Sequence, residues 1–183
     1  MGRPALAAES PPADVFVRAQ IDELADVLTG GAPNRFEVLR ARVRAVADFD
    51  GFAAKALGKT WGTLAAEEQQ RFKTAMQGLL ESHYMNKPGA IFDKNKVVVK
   101  EATPKDGSAA VRLTLKRKDV DVGVVVKVHP GPGAWIVDDV VIDGLSLLED
   151  YRSQFQTFLK KKTVAELIAK LDAKAKANLG KKN

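Results

Sequence analysis

Cysteine is absent from the 183 residues of this chain. That excludes disulfides, thiolate nucleophiles and Cys-type zinc or iron–sulfur sites. It does not exclude an exported life, because exported proteins also avoid unpaired thiols. Histidine is scarce: His83 and His129 are the only two, so neither a metal site nor a cofactor is expected. No apolar run approaches the ~20 residues that span a bilayer. Residues 1–13, rich in alanine and proline, lack the apolar segment of about 7–15 residues that marks an export signal. They read as a flexible tail before a single domain at 14–180. Gly131 and Gly133 precede a strand pattern, so they do not form a phosphate-cradling helix start.

What is present is ordinary for a folded domain. Hydrophobic residues make up 45% and charged residues 28%, enough apolar content to exclude wholesale disorder. The net charge of +6 is spread along the chain, with local density at Lys160-Lys161-Lys162 and in the tail after Lys170. No aromatic residues interleave with those tail lysines to stack bases, so no nucleic-acid partner is expected. A solvated basic helix face explains the lysines, and a patch for anionic lipid or an acidic partner remains open.

The first half reads as helical. Asp14 is placed to cap a helix with Val17, Ile21, Leu24 and Leu28 on one face, ended by Gly30-Gly31. Asn34 and Glu37 open a second, with Phe36, Leu39 and Val43 as its stripe. Phe49 to Gly58 forms a short third. Thr63 caps a longer one along which Phe72, Met76, Leu79, Leu80 and Tyr84 share a side. Pro88-Gly89 marks a change of regime. Strands follow at 97–99, 109–116, 122–128 and 135–142, with turns at 104–108 and 129–133. Ser146-x-x-Glu149 and Thr163-x-x-Glu166 are capping boxes opening two final helices. The order predicts an α+β fold: a curved antiparallel sheet of about four strands, with helices from both ends of the chain packed around it.

Alternation puts Val111, Leu113 and Leu115 on one sheet face, and Val122, Val124, Val126 and Val128 on one face of the next strand. The last strand is ambiguous. Trp135, Val137 and Val141 share a face with Asp139, while Ile136, Val140 and Ile142 share one with Asp138. On the residues alone such a valine-rich face reads first as plain core, with the wall of a cavity as the alternative.

Three motifs, in order, carry a resemblance. They are Phe49-Asp-Gly-Phe52 leading to Leu57-Gly-Lys-Thr-Trp61, then Glu67-Glu-Gln-Gln-Arg-Phe72, then Trp135-Ile-Val-Asp-Asp-Val-Val-Ile-Asp-Gly-Leu-Ser-Leu running on to Tyr151-Arg-Ser-Gln-Phe155. Over roughly residues 15 to 172 the chain resembles the MlaC family, periplasmic phospholipid carriers also called toluene-tolerance auxiliary proteins. The resemblance implies a cone-like fold with an apolar cavity for acyl chains, in a monomer without enzymatic activity. From the helices the implied lipid contacts are Phe52, Leu57, Trp61, Phe72, Met76 and Leu79, with Tyr151 and Phe155 from the helix after Ser146. From the sheet they are Val97, Val99, Val111 and Leu113, then Val124, Val126, Val137 and Val141. The implied cargo is a diacyl phospholipid. The implied partners are an outer-membrane lipoprotein–porin complex and an inner-membrane complex of an MCE-domain protein with an ABC transporter. Family members normally carry an export signal, so a periplasmic role implies either a mature form or a mis-assigned start.

Arg152 is a candidate for the lipid head group, or for an ion pair with Asp139, Asp143 or Asp150. Two other functions stay open on sequence. One is a cone-fold isomerase or hydrolase using Asp139 with a histidine partner. Asp138 and Asp139, adjacent on a strand, point to opposite faces and do not form a close acid–base pair. The other is a protein-interaction module recruited through the basic C-terminal helix.

Overall fold

A computed structural model describes residues 10–84 and 96–180. The Pro88-Gly89 break and most of the N-terminal tail lie outside the described residues, as does the side chain of Tyr84. Helix α1 spans Ala13–Thr29, α2 Arg35–Val46, α3 Phe49–Leu57 and α4 Ala66–Tyr84, with a 3-10 turn at Gly58–Thr63 between the last two. Strands β1 Val97–Lys105, β2 Ser108–Leu115, β3 Val122–Gly131, β4 Ala134–Ile142 and β5 Leu145–Ser146 follow, then α5 Leu147–Leu159 and α6 Val164–Gly180. The sheet is an antiparallel meander in the order β1-β2-β3-β4-β5. The fold is α+β, as the sequence pattern implies, with a two-residue fifth strand beyond the expected four.

Local chemistry explains most boundaries and corrects a few. Helix α1 begins one residue before Asp14, after Pro12, with no side-chain cap. Asp14 instead stands in the first turn, where its charge favours the helix N-terminus. Thr63 does not cap α4 but closes the 3-10 turn, its hydroxyl donating to Thr60 O at 2.8 Å. The Ala65 amide before α4 donates to Glu68 Oε2 instead. Thr163 and Glu166 form the expected reciprocal box: each backbone amide donates to the other's side chain, at 2.9 and 3.2 Å. The first strand is longer than 97–99 and runs through Pro104, which an edge strand tolerates. The turn narrows to Asp106-Gly107, both at positive φ, as a two-residue hairpin requires. Similarly, β3 continues through His129 and Pro130 to Gly131.

Two β-bulges set the faces. On β1 the register slips between Val99 and Ala102, and on β4 Asp138 has no partner between Val137↔Val128 and Asp139↔Lys127. One extra residue reverses the alternation after it. Val137 and Val140 therefore share a face, and Val141 lies on the other.

The apolar side chains form separate clusters. One joins α3, α4, α5 and α6 around Phe72, Met76, Tyr151 and Phe155. Its aromatic rings meet edge-on, Phe72–Phe155 at 5.7 Å and Phe52–Tyr151 at 6.2 Å between centroids. The second joins α1 to the sheet face bearing Val111, Leu113, Val124 and Val128. A small third cluster, Leu24 with Leu39, fastens α1 to α2.

Candidate functional site

Among the described residues, the sheet face under α1 is an apolar surface with half-buried side chains. Helix α1 lies on β1 and β2 and buries Ala13, Val17 and Ile21 there. Its N-terminal half is tied twice: Trp135 Nε1 donates to Pro11 O at 2.7 Å, and Arg18 Nη1 donates to Val97 O at 3.3 Å. Beyond the patch that α1 buries, the same face stays half-buried at Leu115, Val122, Val126, Val137 and Val140, with Trp135 half-buried beside the start of α1. These side chains belong to the cluster but keep accessible surface.

The expected contacts divide between the two larger clusters. Phe52, Leu57, Phe72, Met76, Leu79, Tyr151 and Phe155 are buried in the helical cluster, with Trp61 half-buried at its margin. Val97, Val99, Val111, Leu113, Val124, Val126 and Val137 lie on the sheet face. Val141 belongs to neither cluster; its place on the apolar face is taken by Val140. That residue is missing from the sequence-based set, and the only signal for it is a bulge that no residue pattern announces. Phe72, Met76 and Leu79 retain 0–1% of their surface. A side chain lining a space as wide as a water molecule would show more, so these three pack wholly against other side chains.

Arg152 does not pair with Asp139, Asp143 or Asp150. Its Nη1 lies 3.6 Å from Glu149 Oε1, one turn away on an exposed helix face. The guanidinium passes over Gly58, where an added Cβ would sit 3.8 Å from it. That is an ordinary contact distance, so it is the φ of 58° at Gly58, not the approach of Arg152, that favours glycine.

Asp139 is buried and saturated. Its Oδ2 accepts from Lys127 Nζ at 2.8 Å and Ser146 Oγ at 2.7 Å, and its Oδ1 accepts from Leu148 N at 3.1 Å. The carboxylate fixes the start of α5 to the sheet. His129 lies instead beside Asp48, with Nε2 at 3.5 Å from Oδ2. Asp48 caps α3 by accepting from Gly51 N at 2.8 Å, a role that the sequence reading missed although aspartate is a favoured N-cap residue. The geometry thus gives Asp139 a structural role, with Lys127, Ser146 and the Leu148 amide as its partners. Lys55 and Asp138, 3.0 Å apart, tie α3 to β4.

Comparison with known proteins fits this arrangement. The MlaC protein family model matches residues 17–173. No curated protein sequence matches the chain. Among solved structures, the chain is similar to a phospholipid-binding protein from Ralstonia solanacearum, determined in complex with a phospholipid. The two share 26% identity, the match covers 92% of this chain and 99% of the other, and the TM-score is 0.74. With the family match spanning most of its length, the chain belongs to the MlaC family.

Proposed function

We propose that this protein is a phospholipid carrier that holds acyl chains against its half-open sheet face and performs no chemistry on them. The observation that carries the reading is family membership together with an apolar face whose central side chains remain accessible. Among the expected contacts, the sheet set is assigned to the lipid: Val99, Val126 and Val137, joined by Val140. The tightly packed helical set is assigned to the scaffold that supports α5 and β4. Arg152, exposed near the Gly58 turn, is offered as a contact for a phosphate head group.

Energetics favour a shuttle over a sink. Each methylene withdrawn from water contributes ~0.8 kcal/mol, so two long acyl chains amount to on the order of 20 kcal/mol. A bilayer supplies nearly the same, and transfer between the two sits close to balance. Net direction then comes from differential affinity among partners. By family, those partners are an outer-membrane lipoprotein–porin complex and an inner-membrane MCE-domain and ABC-transporter complex. The place is the periplasm, and the outcome is maintenance of outer-membrane lipid asymmetry. The basic turn Lys160-Lys161-Lys162 between α5 and α6 is a candidate docking surface that speeds encounter.

The test is transfer of a fluorescent diacyl phospholipid from donor to acceptor vesicles. The protein should accelerate transfer in proportion to its concentration. No acceleration, from protein shown to be folded, would overturn the reading.

A further inference from the structure

Helix α1 crosses the apolar sheet face obliquely. Its start meets β4 beside the β3–β4 hairpin, where Trp135 pairs with Pro130 and its Nε1 donates to Pro11 O at 2.7 Å. By Arg18 it has reached the other end of the sheet. There Arg18 Nη1 donates to Val97 O at 3.3 Å, and Val97 opens β1 opposite Leu115, the last residue of β2. The half-buried part of the face therefore lies along β3 and β4. It narrows toward Trp135 and widens toward Val122 and Val140.

The narrow end is shut on both flanks. On one side the indole of Trp135 is pinned to the start of α1 through Pro11. On the other, the end of α2 meets the outer edge of β4, where Ala47 bridges Val137 and the Asp48 amide donates to Val137 O at 2.8 Å. Val128, the partner of Val137, retains only 1% of its surface. Trp135 and Val137 alternate on one strand and share the apolar face, so the indole stands as the far wall beyond Val137. Along β3 the run from Pro130 back to Val122 is eight residue steps, about 26 Å. That is the scale of a long acyl chain laid straight.

We propose that Trp135 ends the groove for the acyl chain and so sets the longest chain that the protein accepts. The proposal rests on the carrier reading and adds a selection that the reading alone does not contain. In a bilayer every methylene is withdrawn from water. A chain that stops against the indole leaves its excess methylenes outside the mouth, and each weighs against uptake by about four-fold.

The test is competitive loading. The full chain is brought to exchange equilibrium with excess vesicles holding equal parts of phosphatidylcholines with palmitoleoyl, oleoyl, eicosenoyl or erucoyl chains. It is then reisolated, and its lipid is identified by mass. The parent should select against the longest chains. Trp135→Ala, with the wall removed, should raise the share of erucoyl lipid about ten-fold or more. Trp135→Phe keeps an aromatic wall but loses the bond to Pro11, and should stay close to the parent. Val137→Phe brings the wall nearer the mouth and should favour the shorter chains.

Equal uptake of all four lengths by the parent overturns the wall, as does one profile shared by the parent and folded Trp135→Ala. The carrier reading survives either result. A Trp135→Phe profile as relaxed as that of Trp135→Ala traces selection to the tie with α1, and overturns the wall equally. If Trp135→Ala does not fold, Val137→Phe decides, and an unchanged profile there rejects the proposal. Folded parent protein that takes up no lipid of any length removes the carrier reading itself, and the wall with it.

Discussion

Ser146 Oγ donates to Asp139 Oδ2 at 2.7 Å and accepts from the amide of Glu149 at 3.1 Å. One hydroxyl thus joins the cap of α5 to a buried carboxylate on β4. Because Asp139 also holds Lys127 and the Leu148 amide, it is the hinge pin between the helical cluster and the sheet. Asp139→Ala leaves the Leu148 amide and the Ser146 hydroxyl short of an acceptor. Chemical denaturation should show a loss of about 2–4 kcal/mol. A stable Asp139→Ala variant that loses lipid would give the carboxylate a direct binding role instead.

Much of this architecture is legible in the chain. The 3.6-residue stripes give the helices, the Thr163/Glu166 box appears as two reciprocal bonds, and alternation on β2 and β3 gives a valine face. Strand β4 resists reading because both alternations place apolar residues on both faces. A single unpaired residue, Asp138, decides between Val140 and Val141. The division between packed helical cluster and half-open sheet face is equally hidden. Phe72 and Val126 are both apolar and periodic, and only packing separates them.

That division predicts opposite phenotypes. Val126→Trp or Val140→Trp, on the half-buried face, should reduce bound phospholipid several-fold while changing stability by less than about 1.5 kcal/mol. Phe72→Ala, in the filled cluster, should cost about 3–5 kcal/mol, with lipid stoichiometry per folded molecule retained. Thermal melts beside lipid extraction distinguish the two.

Arg152 separates head-group contact from structure. Its pair with Glu149 is exposed, so Arg152→Ala should change stability by no more than about 0.5 kcal/mol. Loss of lipid retention in that variant would establish a phosphate contact. Unchanged retention would leave Arg152 as a surface residue.

Helix α2 buries only Leu39 among its described side chains and is tied to α4 by Arg44, which grips Glu81 with two bonds of 2.6 and 2.7 Å. Burial alone would raise the Glu81 carboxyl, but hydrogen bonds from Arg44 and Gln77 outweigh it and hold the group below its ordinary value. A lowered folded-state value contributes stability above the unfolded value of 4.5, lost as pH falls through the folded one. Melting temperature should therefore drop below about pH 4.5 more steeply in the parent protein than in Glu81→Gln. Parallel curves would show that the pair adds nothing.

Native mass spectrometry of the protein as purified tests the carrier reading most directly. The predicted spectrum shows the 19.8 kDa chain with the added mass of a diacyl phospholipid, with little selection among head groups because few polar anchors surround the sheet face. Protein that is empty as isolated, and stays empty after incubation with phospholipid vesicles, would contradict it.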